Sequence, residues 1–324
     1  MKRLIQHKVV FLVASILTLS VGCASPPKAP KAVKTVAFIT NTTSDFWKIA
    51  RKGCEKADAE LPDVTVAFRT TNTGTTEDQN LLIRQALDRD DADAIAVSPI
   101  DPAGQKKVIN DAAKRALVIT QDSDAPDSDR ALYLGADNRG AGRQAGELIR
   151  KALPQGGKIM VFVGKREVQN AQERFAGLKE SLQGSNVEII DLMTDDANPA
   201  TARENAYQTL KKYPDIAGMV GLWSYTGPSI VQALRPEGKL GKIKIVCFDD
   251  EQDTLTAIKE GAIFGTVAQQ PFEYGYQAVK TAAKILKGDR SVIPVNKTIF
   301  IPTVVIQRNN VDEYSKKLNQ LLGT

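Results

Sequence analysis

From residue 33 onward the chain alternates short runs of β-branched and apolar residues with longer amphipathic stretches. The first set reads Thr35-Val-Ala-Phe-Ile-Thr40 then a helix over 45–61, Val64 to Phe68 then 77–87, Ala94 to Ser98 then 102–115, and Leu117 to Thr120 then 138–153. A second set opens with Lys158-Ile-Met-Val-Phe-Val-Gly164. It continues through Val187 to Ile190, Gly218 to Leu222, Ile243 to Phe248 and Phe264 to Ala268, each followed by a helical pattern. Strands that are apolar on every residue rather than every second one are covered on both faces. Separated by helices, they belong to parallel sheets. Two such sets predict an α/β fold of two doubly wound parallel-sheet lobes joined by crossing hinge strands.

A length of 324 residues suits two lobes of ordinary size. With 42% hydrophobic and 25% charged residues, the composition is that of a globular protein and excludes disorder or a multi-span membrane protein. The formal charge is +5, and setting aside the amino-terminal Lys2, Arg3 and Lys8 leaves 40 basic against 38 acidic residues, or +2. That balance offers no footprint for nucleic acid. The one histidine is His7, near the amino terminus. A folded body without histidine rules out Ser-His-Asp and Cys-His catalysis and most catalytic zinc sites, and nothing else in the sequence requires a metal or cofactor.

Residues 1–22 have the basic start, apolar middle (Val9 to Leu19) and small-residue end of a secretory signal. The following Cys23 resembles the acylated cysteine of a bacterial lipobox, although Ser20 stands where Leu is usual. Residues 23–34, with Pro26, Pro27 and Pro30, then read as a lipid-anchored Pro-rich spacer. The expected location is the periplasm or cell envelope, tethered to the membrane through Cys23. Cys54 and Cys247 fall on a helix and in a strand of different lobes, which predicts two buried free thiols rather than a disulfide.

Parallel sheets bind ligands beyond the carboxyl ends of their strands. The residues at those positions are Asn41, Ser44, Phe46 and Trp47, then Ser98, Asp122 and Asn138. In the second set they are Asn170 and Gln172, Trp223 and Tyr225, Asp249, and Gln269. Amides, carboxylates and hydroxyls suit a polyhydroxylated ligand, and aromatic faces suit the C–H side of a sugar ring. Both tryptophans of the chain directly follow strands, and Phe46 reads more readily as core than either.

Three other patterns carry less. Gly140-Ala-Gly142-Arg-Gln-Ala-Gly146 lacks the spacing and the acidic partner of a dinucleotide loop and reads as close helix packing. The acidic run Asp122 to Asp129 has Asp127 where a calcium hand needs Gly and, Asp122 excepted because it directly ends a strand, reads as a solvated turn. Asp249-Asp250-Glu251 could serve a carboxylate-dependent periplasmic glycosidase, but one acid binding hydroxyls and the next capping a helix is the simpler account.

Taken jointly, Asp45-Phe-Trp47, Ser98-Pro-Ile-Asp101, Val118-Ile-Thr-Gln-Asp122, Gly135-Ala-Asp-Asn138, Asn170-Ala-Gln-Glu-Arg174, Tyr213-Pro-Asp-Ile, Cys247-Phe-Asp249 and Val267-Ala-Gln269 resemble the type I periplasmic sugar-binding proteins of the ribose-binding branch. The resemblance spans Val33 to about Gln307. It implies a monomeric, non-enzymatic solute-binding protein that closes two lobes on a carbohydrate and delivers it to an ABC permease, with stacking from Phe46 and Trp47 and hydrogen bonds from Asp122, Asp249 and Gln269. A sensor subunit for a membrane receptor is the alternative. The lobes it implies are 35–136 plus 270–299 and 137–269 plus 300–324. Where the family often has an Asp-Arg pair this chain has Asp122-Ser123, and where it often has Arg this chain has Gln172. Without those bidentate donors, ribose or galactose specificity does not carry over. Trp223 and Tyr225 stand where polar residues are frequent, which implies a larger or more apolar ligand face.

Overall fold

The computed structural model describes residues 32–323; residues 1–22, Cys23 and most of the spacer lie outside them. In chain order the elements are β1 (Lys34–Ile39), α1 (Asp45–Glu60), β2 (Val64–Arg69), α2 (Thr76–Asp88), β3 (Ala94–Val97), α3 (Lys106–Ala113), β4 (Leu117–Gln121), β5 (Leu132–Gly135) and α4 (Asn138–Ala152). There follow β6 (Gly157–Val163), α5 (Gln169–Leu182), β7 (Val187–Thr194), α6 (Pro199–Lys212), β8 (Ile216–Gly221), α7 (Thr226–Leu234), β9 (Lys244–Phe248), α8 (Gln252–Glu260) and β10 (Gly265–Ala268). The chain ends with α9 (Pro271–Leu286), β11 (Thr298–Phe300), β12 (Val304–Ile306) and α10 (Val311–Leu322).

These strands form two six-stranded sheets, β2-β1-β3-β4-β5-β11 and β7-β6-β8-β9-β10-β12. The second repeats the first with every strand of the main run advanced by five. All pairs are parallel except β10 with β12. The two-lobe parallel fold expected from the pattern is thus borne out. Its physical basis is visible in β3, β5 and β10, every residue of which is buried.

Three crossings link the lobes: from β5 to α4, from β10 to α9, and from β11 to β12. Helix α4 packs on α5, whereas α9 returns to pack on α1. The α4–α5 approach is close because Gly142 and Gly177 face the other helix's backbone. A Cβ on either would drive into the carbonyl oxygen of Arg174 or Arg139, respectively. Of the Gly140–Gly146 stretch, Gly142 and Gly146 therefore serve helix packing, while Gly140 makes room for the Asp137 carboxylate that caps α4.

Some local readings change. Helix α3 begins at Lys106 rather than 102, because residues 101–104 form a turn in which the Asp101 carboxylate accepts from the Gly104 amide (3.0 Å). The acidic run after β4 is not simply solvated: Asp124 accepts from the Thr120 hydroxyl (2.6 Å) and from Arg130 (2.6 Å), itself only 7% exposed. Asp250 does not cap α8, whose N-cap is Glu251 without a side-chain bond. It accepts instead from the Tyr314 hydroxyl of α10 at 2.7 Å. Cys54 and Cys247 are buried and free, as expected, and burial pushes both thiols up, that of Cys247 to about 12.

Candidate functional site

The order 2-1-3-4-5 switches winding direction between β1 and β3, and beyond that point lies the crevice in which doubly wound folds bind ligands. Here the loops after β1, β3 and β4 carry Asn41, Ser98 and Asp122. The Ser98 hydroxyl donates to Asp122 Oδ2 at 2.7 Å, Asn41 Nδ2 donates to the same oxygen at 3.3 Å, and Asn41 also donates to Ser98 at 2.9 Å. Buried Gln79 of α2 supports the strand ends by donating to the carbonyls of Thr40 (2.8 Å) and Ser98 (2.7 Å).

Asp122 and Asp249 occupy the same place in their lobes, each immediately after the fourth strand of its set. Both adopt left-handed backbone, with φ of 61° and 65°. Short polar side chains tolerate that region better than most. Each carbonyl is held by a hydroxyl from the neighbouring strand, Tyr133 onto Asp122 (3.0 Å) and Thr266 onto Asp249 (2.7 Å). Burial pushes the Asp122 carboxyl up to about 6, opposed by the Ser98 bond and by Arg174. Burial raises Asp250 to about 6 as well, against the Tyr314 bond.

In the second lobe, Asp249 Oδ1 accepts from Gln269 Nε2 at 2.9 Å, and Gln269 Oε1 lies 3.1 Å from the Tyr274 hydroxyl. Arg174 of α5 approaches Asp249 Oδ2 at 4.0 Å, donates to Asn138 at 3.0 Å and to the Leu222 carbonyl at 2.8 Å, and lies over the Phe248 ring. Arg174 and Tyr274 were not among the residues expected from the sequence. A signal for Arg174 exists: with Ala171, Leu178 and Leu182 it shares the buried face of α5 at helical spacing, where an ionised group requires partners.

A cavity of about 710 Å³ opens between the lobes. Its wall includes Asn41, Ser44, Phe46, Trp47, Asp122, Asp249 and Gln269. A second cavity of about 850 Å³ shares Asp122 and holds Asn138 and Asn170. Trp47 is 4% exposed, less than half-buried Phe46, and its indole N–H donates to Asn41 (3.0 Å). The order of burial expected for these two rings is reversed, because Trp47 falls on the core stripe of α1 with Ala50, Cys54 and Ala57. Trp223 lies over Gly164 and donates to Asn170 (3.0 Å), and Tyr225 donates to Asp195. Trp223 and Tyr225 line neither cavity. Gln172 is exposed on α5, its amide directed to the Glu167 carbonyl at 3.3 Å. Among the described residues no group of side chains is suited to hold a metal ion, and no helix is long and apolar enough to cross a membrane.

The periplasmic binding protein domain model matches residues 36–290. The D-ribose/D-allose-binding protein of Pseudomonas aeruginosa is 23% identical over 298 residues, covering 89% of this chain and 92% of the relative. Among solved structures, the sugar-binding protein of a sugar ABC transporter from Bacillus halodurans superposes with a TM-score of 0.81 at 29% identity, covering 87% of this chain and 100% of that one. A chain of the XylFII–LytSN complex gives a TM-score of 0.74 at 28% identity, with 86% and 98% covered.

Proposed function

The chain belongs to the periplasmic binding protein family, and from that premise we propose that it captures a sugar or polyol for an ABC importer while tethered to the membrane through Cys23. The observation that carries the reading is the pair of strand-end carboxylates, Asp122 and Asp249, one from each lobe, on the wall of a single cavity. Both hydrogen bonds to Asp122 fall on Oδ2, which leaves Oδ1 for a ligand hydroxyl. An ionised carboxylate only accepts, and a polyol supplies donors in abundance. Phe46, half-buried on the cavity wall, provides an apolar ring for stacking against a C–H face. Binding at both carboxylates draws the lobes together, and the closed form is what a permease engages.

The similarity to a sugar ABC transporter's binding protein and to a D-ribose/D-allose-binding protein supports this sugar class. Ser123, on the wall of the second cavity where the resemblance implies a guanidinium, bears on which sugar binds. The role of ligand-binding subunit of a membrane sensor is the second reading, favoured by the likeness to a chain solved in complex with LytSN. A thermal-shift panel of pentoses, hexoses and polyols tests the proposal, because a ligand at 100 times its Kd adds about 2.7 kcal/mol to stability. A panel in which no sugar raises the melting temperature would refute it.

A further inference from the structure

The side-chain amide of Gln269 can face Asp249 in two ways, and only one is attractive. With Nε2 toward the carboxylate it donates at 2.9 Å; turned over, its carbonyl oxygen would confront a carboxylate oxygen with no proton between them. The acceptor-only carboxylate makes that choice, and on the far side of the amide the Tyr274 hydroxyl, 3.1 Å from Oε1, holds the amide in it. Tyr274 is fully buried in α9, and its ring packs edge-on against Phe46 with centroids 5.9 Å apart. A buried phenol needs a hydrogen-bond partner, and against the Oε1 acceptor it must donate.

We propose that Tyr274 is a positioning residue that anchors the Gln269 side chain against Asp249 and thereby couples the ligand carboxylate of the second lobe to the core of the first. Tyr274 belongs to the helix that covers the first sheet, Gln269 sits on the crossing that leaves β10, and Asp249 follows β9. Two hydrogen bonds thus span a hinge crossing. Beyond Asp249, Arg174 extends the contact to Asn138, at the start of α4 on another crossing.

Tyr274→Phe removes one hydroxyl and keeps the ring. In the ligand-free protein, the Gln269 side-chain amide signals, identified in nitrogen-resolved NMR by their loss in Gln269→Leu, should shift and exchange faster with water in Tyr274→Phe. The second measurement rests on the sugar-binding reading. With a sugar that binds the wild type, Tyr274→Phe should weaken affinity about 3- to 10-fold, the size of one neutral hydrogen bond. In a Gln269→Leu background the same change should alter affinity less than about 1.5-fold, since coupled residues are non-additive. Unchanged amide signals overturn the proposal, as does an equal loss in both backgrounds, which marks a merely structural role. If no sugar binds the wild type, the importer reading fails and the amide signals alone decide the role of Tyr274.

Discussion

Replacing Asp122 by Asn should make the ligand-free protein more stable at neutral pH and a poorer binder. The carboxyl is raised by burial from 3.8 to about 6. An acid whose pKa is higher in the folded state stabilises the fold while protonated, and that advantage disappears as pH rises from the unfolded value to the folded one. Above pH 6 the ionised form opposes folding by up to about 3 kcal/mol at 1.36 kcal/mol per unit, and by about 1 kcal/mol at pH 4.5. Partial exposure of Asp122 reduces the neutral-pH figure to about 1 to 3 kcal/mol. Asn tolerates the left-handed backbone, and its Oδ1 can accept from Ser98 and Asn41. Urea unfolding of wild type and Asp122→Asn at pH 7.5 and 4.5 measures the difference, with Asp250, also raised to about 6, present in both proteins and cancelling. The expected result is an advantage for the variant at pH 7.5 that shrinks at pH 4.5, together with at least tenfold weaker sugar binding, since a bond to a charged group is worth about 1.5 to 3 kcal/mol. A variant no more stable at pH 7.5, or an advantage equal at both pH values, would refute the reasoning.

Asp249→Ala should weaken binding at least tenfold by calorimetry with the fold intact by circular dichroism, for the same energetic reason; normal affinity would remove this carboxylate from the ligand shell. Sugar addition should give a saturable change in tryptophan fluorescence, part of it lost in Trp47→Phe and part in Trp223→Phe. Because both indole N–H groups are already bonded within the protein, the change reports rearrangement of their surroundings, and a silent titration with a confirmed ligand would contradict closure around them. Cys23→Ser should move the protein from the membrane to the soluble fraction without changing affinity; a wild type already fully soluble would exclude the tether.

The sequence displayed its parallel strands because burial on both faces writes them as unbroken apolar runs, as in Ala94-Ile-Ala-Val. The crossing strands Thr298–Phe300 and Val304–Ile306 are three residues each, too short for any period to register. Asp122, Asp249 and Gln269 were legible because a strand end is a position in sequence as well as in space. Arg174 and Tyr274 were not singled out, since each lies within a helix, and a helical pattern does not tell a polar group that is buried and bonded from one that merely meets solvent. The reversal of Phe46 and Trp47 has the same root: one step along α1 turns a side chain by about 100°.

The three crossings also govern the order in which the protein can be completed as it is synthesised. Helix α9 contributes Tyr274, Ala278, Val279 and Ala282 to the same buried cluster as Val36 and Phe38 of β1. That face of the first sheet, covered in part by α1, therefore stays incomplete until residue 286 has emerged from the ribosome, and the sheet lacks its edge strand until residue 300. The second sheet waits for β12 and α10 in turn. In each half, therefore, one face closes late, through contacts of high sequence separation that slow folding. A nascent chain arrested at residue 136 would hold five of the six strands of its sheet and the cluster under α2 and α3, with the face that α9 covers still incomplete.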